Sequence, residues 1–157
     1  MVKAPWRPEP ARAALPAAGV LLASAGQPFT DAAIAEAARL AGARPGVRVR
    51  VITIARIHGT SFGLQHPGLM PSKKEKDAAQ AIVTRAIKIL QRSGLKADGE
   101  VVITRSPARS FTRAARAAGA AHVVLDNPPG GPLTRLDASA TARYLRFRLR
   151  EVSLALI

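Results

Sequence analysis

A chain of 157 residues, 48% of them hydrophobic, is long enough for one domain with one sizeable core, and with only 4% aromatic residues that core must be Val, Ile, Leu and Ala. The absence of cysteine excludes disulfides and thiolate metal sites and fits a reducing, cytoplasmic setting, while no apolar run reaches the roughly 18 residues that span a bilayer. A net charge of +14 and a pI of about 11.7 favour an anionic partner such as nucleic acid, acidic lipid or an acidic protein face; arginine used wherever a solvated charge serves gives the same composition.

Residues 1–17 form a basic, proline-rich arm, and residues 18–157 carry the patterns of a domain. Pro5, Pro8, Pro10 and Pro16 exclude a helix or a central strand from the arm. Lys3, Trp6 and Arg7 are its candidate partner contacts, with Trp6 as the anchor. The arm and the following apolar run have the parts of a secretory signal, but Pro16 and Gly19 interrupt the apolar segment, so no cleaved signal is expected.

Gly19 to Gly26 is a short, continuous apolar run closed by small residues, the pattern of a strand buried on both faces at the centre of a parallel sheet. Thr30-Asp31 then opens a helix with Ile34, Ala37, Ala38 and Ala41 on one face, ended by Gly42. Val47 to Ile54 reads as a second strand, whose internal arginines do not by themselves make a nucleic-acid site. His58 to Pro71 is a long Gly- and Pro-containing loop of the kind that is functional or mobile. Its two histidines lack acidic or thiol neighbours in the chain, so no metal site is expected.

Ser72-Lys73-Lys74-Glu75 is a capping box, opening a long helix with Ala79, Ile82, Val83, Ala86, Ile89 and Leu90 on one stripe and its end at Gly94. Glu100 to Thr104 reads as a third strand, and Ser106-Pro107 as a cap and first turn of a helix ending at Gly119. Arg105, Arg109, Arg113 and Arg116 follow at spacings that place most of them on one face. Ala120 to Asp126 is a fourth, buried strand containing His122, expected to be a satisfied strand residue rather than a ligand. A turn-rich loop with Gly130 and Gly131 leads to a helix capped by Asp137, and Arg143, Arg146, Arg148 and Arg150 crowd its end. Val152 to Ile157 is the last strand. The alternation predicts an α/β fold: a doubly wound, five-stranded, parallel sheet with right-handed crossovers.

From Gly19 to Ile157 the order of elements and the small-residue turns resemble the universal stress protein family. Val20 to Gln27 stands where the family has its first strand and an Asp-Gly-Ser turn, and Arg105-Ser106-Pro107 where it has Gly-x-Pro. Ala120 to Leu125 matches the fourth strand, and Pro132 to Leu136 resembles the Gly-Leu-Ser-Arg-Leu segment before the last helix. The resemblance implies a Rossmann-like, adenine nucleotide alpha hydrolase-like fold, a part in stress response and a dimer formed through the last strand. Here Val152, Leu154 and Leu156 are that edge, offered to a second copy or to a partner subunit.

Nucleotide-binding members hold ATP between the first turn, the end of the second strand and a motif of Gly, two residues, Gly, nine residues, then Gly with Ser or Thr. On this sequence Asp126, Pro129 and Ser139-Ala140 stand at the motif positions, and Ala25 replaces the acidic residue of the first turn. Proline donates no N–H and Asp126 brings a negative charge toward the phosphates. The motif is degenerate, and no cofactor is expected. Should ATP bind, the site residues are Ala25, Gly26, Ala55, Asp126, Gly130, Gly131 and Ser139, with Arg105 at the rim, narrowing the pocket.

Three functions follow: a non-enzymatic regulator or adaptor acting through protein contacts, an ATP binder or slow ATPase, and a basic accessory subunit docking on a larger complex or nucleic acid. In the third, Arg105, Arg109, Arg113, Arg116 and Arg146 join the arm as the contact surface. No catalytic signature of nucleophile and base, or of paired carboxylates, stands out among ten acids.

Overall fold

The computed structural model describes residues 19–56, 70–127 and 135–157. The arm with Lys3, Trp6 and Arg7, the loop histidines at 58 and 66, and Gly130 and Gly131 lie outside the described residues.

Among the described residues nine elements alternate: β1 (Val20–Ser24), α1 (Asp31–Gly42), β2 (Arg48–Arg56), α2 (Lys73–Arg92), β3 (Lys96–Thr104), α3 (Pro107–Ala118), β4 (His122–Asp126), α4 (Arg135–Arg148) and β5 (Ser153–Leu156). The sheet is parallel throughout, in the order β3-β2-β1-β4-β5. The expected doubly wound α/β architecture is present, with β1 at the centre and every residue of it buried.

Side-chain alternation along the strands divides the core in two. Val20, Leu22, Val49, Val51 and Val124 pack under α1 and α2 against Ala33, Ala37, Val83 and Leu90. Leu21, Ala23, Ile52, Ile54, Val123 and Leu125 pack under α3 and α4 against Phe111, Ala115, Leu145 and Leu149. Alanines on α1 and α2 replace bulky residues, which suits the aromatic-poor composition.

Four local expectations are corrected. β3 begins at Lys96, four residues before the expected Glu100. Asp98 and Gly99 argue against a strand in isolation, but β2 supplies their partners. Arg48 and Arg50 lie 3.1 and 2.9 Å from the Asp98 carboxylate, and Arg50 also reaches Glu100 at 3.0 Å. Gly99 sits opposite Val51, and a Cβ there would fall on the Val51 carbonyl oxygen, so the close strand approach requires glycine. Asp137 is not the cap of the last helix: α4 starts at Arg135, which places Asp137 inside the first turn. Ser106 occupies the cap position of α3 but makes no capping hydrogen bond with its side chain. Finally, His122 does not find the expected partner, because its Nδ1 is buried without a hydrogen bond.

Candidate functional site

The parallel register aligns the carboxyl ends of the three central strands, pairing Ser24 with Thr53 on one side and with Asp126 on the other. Two residues beyond Leu22 and Val124, these positions face α1, so three polar side chains are buried in a row at the top of the apolar core. Each is satisfied. Ser24 and Thr53 share a 2.7 Å hydroxyl contact, and the Ser24 hydroxyl donates to the Gln27 carbonyl at 3.0 Å. Asp126, only 2% exposed, accepts the Thr30 amide at 2.6 Å on one oxygen and the Thr30 hydroxyl at 3.1 Å on the other.

Thr30 is also the cap of α1, its hydroxyl accepting from the Ala33 amide at 3.2 Å. The positive end of α1 is therefore already facing a carboxylate from the chain itself. Burial pushes the Asp126 carboxyl above its ordinary value, against the two hydrogen bonds from Thr30, which favour the charged form.

Beside this row lies a crevice of about 260 Å3 over the ends of β1 and β2. Its floor is Ala25, Gly26 and Gln27 from the turn after β1, with Ile54 and Ala55 from β2. Gly26 has φ 99°, and a Cβ there would stand 2.7 Å from the Ile54 carbonyl oxygen, so glycine alone keeps this turn against β2. The outer wall is the first turns of α2: Glu75, Ala78, Ala79 and Ile82, with Pro71 before them. The capping box fixes that wall, Ser72 and Glu75 exchanging hydrogen bonds of 2.6 and 3.2 Å.

The structure thus brings Ala25, Gly26 and Ala55 together in one crevice. Asp126 is turned away from it to Thr30, and Ser139 is exposed on α4. Arg105 is exposed after the edge strand β3 and does not line the crevice, because β2 stands between β3 and β1. The α2 wall escaped sequence reasoning, since Glu75 and Ala78 there read only as cap and helix surface. Of the edge residues, Val152 and Leu154 pack into the core beneath α3 and α4, whereas Leu156 is 46% exposed.

The basic residues are also sorted by the fold. Arg109, Arg113 and Arg116 line a cleft of about 660 Å3 between α3 and α4, together with Thr112, Tyr144 and Arg148. Arg146 is exposed on α4 outside that lining.

No family model matches the sequence, and no curated protein matches it. Solved structures do. A universal stress protein from Archaeoglobus fulgidus superposes with a TM-score of 0.62 at 16% identity, covering 90% of this chain and 94% of that one. The Archaeoglobus fulgidus universal stress protein in complex with dAMP gives 0.60 at 17% identity, over 91% and 98%. A member from Burkholderia pseudomallei gives 0.59 at 19% identity, over 88% and 95%. Agreement across nearly the whole length of both partners, in element order and sheet topology, places this chain in one structural class with them: it has the universal stress protein fold.

Proposed function

We propose that this protein is a regulatory domain of universal stress protein type that works by binding rather than by catalysis. Its crevice takes the base and sugar of an adenine nucleotide and does not grip a triphosphate in the family's manner. The observation that carries this reading is Asp126: a buried carboxylate at the end of β4, held by the amide and hydroxyl of Thr30. The N-terminus of α1, the positive end that would otherwise draw a phosphate, already faces that carboxylate, and a phosphate brought within about 4 Å of it would meet a repulsion of about 1 kcal/mol in water and about 4 kcal/mol where screening is poorer. The crevice itself suits a flat ring, with the small residues Ala25, Gly26 and Ala55 on its floor and Ile82 on its α2 wall. That a neighbour of the same fold was solved in complex with dAMP favours a nucleotide as the ligand. The outer edge of β5, unpaired among the described residues and with Leu156 and Ile157 exposed, is the proposed contact to a second copy or a partner subunit.

Calorimetry with AMP and with ATP on the purified chain tests this. AMP is expected to bind stoichiometrically, ATP no more tightly than AMP, and Asp126→Asn is expected to raise ATP affinity about fivefold or more. ATP bound tenfold more tightly than AMP, or no response to either nucleotide, would sink the reading.

A further inference from the structure

From residue 105 to its end the chain carries nine arginines and no lysine, against the acids Asp126, Asp137 and Glu151. Arg109, Arg113 and Arg116 recur at i, i+4 and i+7, so about 6 and 4.5 Å of helix rise separate successive guanidinium stems along one ridge of α3. α4 packs beside that ridge because Phe111 and Ala115 share a core cluster with Leu145 and Leu149. It adds Tyr144 and Arg148, one turn apart, to the opposite wall.

Among the described residues none of these four arginines pairs with a carboxylate. Two are held in place by neutral groups. Arg116 donates to the Arg148 carbonyl at 2.9 Å, and the Arg148 guanidinium lies 5.5 Å from the centre of the Tyr144 ring. The cleft is therefore a track of guanidinium groups, two of them held in place, whose charge no described carboxylate neutralises. One turn from Tyr144, Phe147 is 64% exposed, with Arg150 at 5.8 Å from its ring. Outside the cleft lining but one turn from it on α4, this exposed ring offers a face on which a base can stack next to the phosphates.

We propose that the α3–α4 cleft binds single-stranded nucleic acid along its phosphates, without reading sequence, with Phe147 as a stacking surface. Arginine suits this role because its planar fork takes phosphate oxygens two at a time. The assignment is independent of the crevice.

The test is fluorescence anisotropy of a labelled 20-nucleotide oligo(U) strand titrated with the full chain at several salt concentrations. Four phosphate contacts predict a slope of log affinity on log salt of about −2.8. Arg109→Gln with Arg113→Gln should make that slope shallower by about 1.4 and weaken binding at least tenfold. Lys88→Gln with Arg92→Gln removes the same charge from α2, across the sheet, and should leave the slope as it was. Phe147→Ala should weaken binding about fivefold or more while keeping the slope, since stacking releases no counterions. Circular dichroism confirms that each variant is folded. The proposal fails if the two arginine and lysine double variants behave alike, which would mean bulk charge alone. It also fails if a duplex of equal length binds tenfold more tightly, or if poly-glutamate displaces the strand at matched charge.

Discussion

Two groups of arginines sit on this fold in opposite circumstances. Arg48 and Arg50, inside β2, are about a quarter exposed and are enclosed by Asp98 and Glu100 of the neighbouring strand. Partial burial opposes the Arg50 charge, yet its hydrogen bonds to both carboxylates outweigh that and hold the guanidinium more firmly protonated than usual. Arg109, Arg113, Arg116 and Arg148 are exposed, converge on one cleft and face no carboxylate among the described residues. The first group serves the sheet, while no described carboxylate takes up the charge of the second. A net charge of +14 does not distinguish them; pairing does.

The largest effect on this contrast should come from the strand approach that creates the paired group. Gly99→Ala drives a methyl into the Val51 carbonyl and toward Val83, which a packed sheet accommodates only by shifting. The expected cost is about 1–3 kcal/mol, seen as a fall in melting temperature of about 3–10 °C.

A smaller loss is expected from Asp98→Asn, which leaves Arg48 without its carboxylate. Because the pair is about a third exposed, solvent screening holds the cost to about 1 kcal/mol, and the gap to wild type should shrink at high salt. By contrast Arg113→Gln should change stability by no more than about 0.5 kcal/mol, and in the upward direction at low salt as like charges are thinned. A clear loss from Arg113→Gln, matching that from Asp98→Asn, would erase the distinction between the two groups.

Asp126 supplies an anion to set against the cations, partnered by an amide and a hydroxyl rather than by a positive side chain. Its folded-state pKa lies above the ordinary 3.8, so the folded protein binds this proton more tightly than the unfolded chain. The stabilisation it contributes is full below about 3.8 and is lost as pH rises through the raised value. Asp126→Asn removes that dependence while keeping an oxygen for Thr30. Denaturant unfolding should therefore show the variant gaining on wild type as pH climbs out of the acid range. A difference that stays flat across that range would mean the carboxyl is not raised.

The sequence makes most of this architecture readable, for identifiable reasons. A short run of apolar residues with no alternation, closed by small turn residues, reads as a strand covered on both sides, and β1 is that strand. Ser72 and Glu75 declare the start of α2 within four residues, since both partners of the reciprocal bonds are local. What stayed hidden depends on distant partners. The first half of β3 reads as a polar turn until Arg48 and Arg50 stand beside Asp98. Thr30 and Asp126 are 96 residues apart, so one read as a plain helix cap and the other as a misplaced charge. The crevice floor at Ala25, Gly26 and Ala55 was legible from strand ends, but its α2 wall required the right-handed crossover to be folded.

The glycine turn at the crevice floor also decides how this site can be altered. Gly26 admits no side chain, so the floor cannot be raised from its centre. Four of the surrounding positions, Ala25, Ala55, Ala78 and Ala79, are alanines, and of the two on the α2 wall Ala78 is exposed. Replacing Ala78 in turn by Val, Leu and Phe offers a graded shutter that narrows the opening from the outside while the sheet beneath keeps its shape. Occupancy of the crevice can thus be dialled against size of one side chain, turning a static cavity into a ruler for whatever enters it.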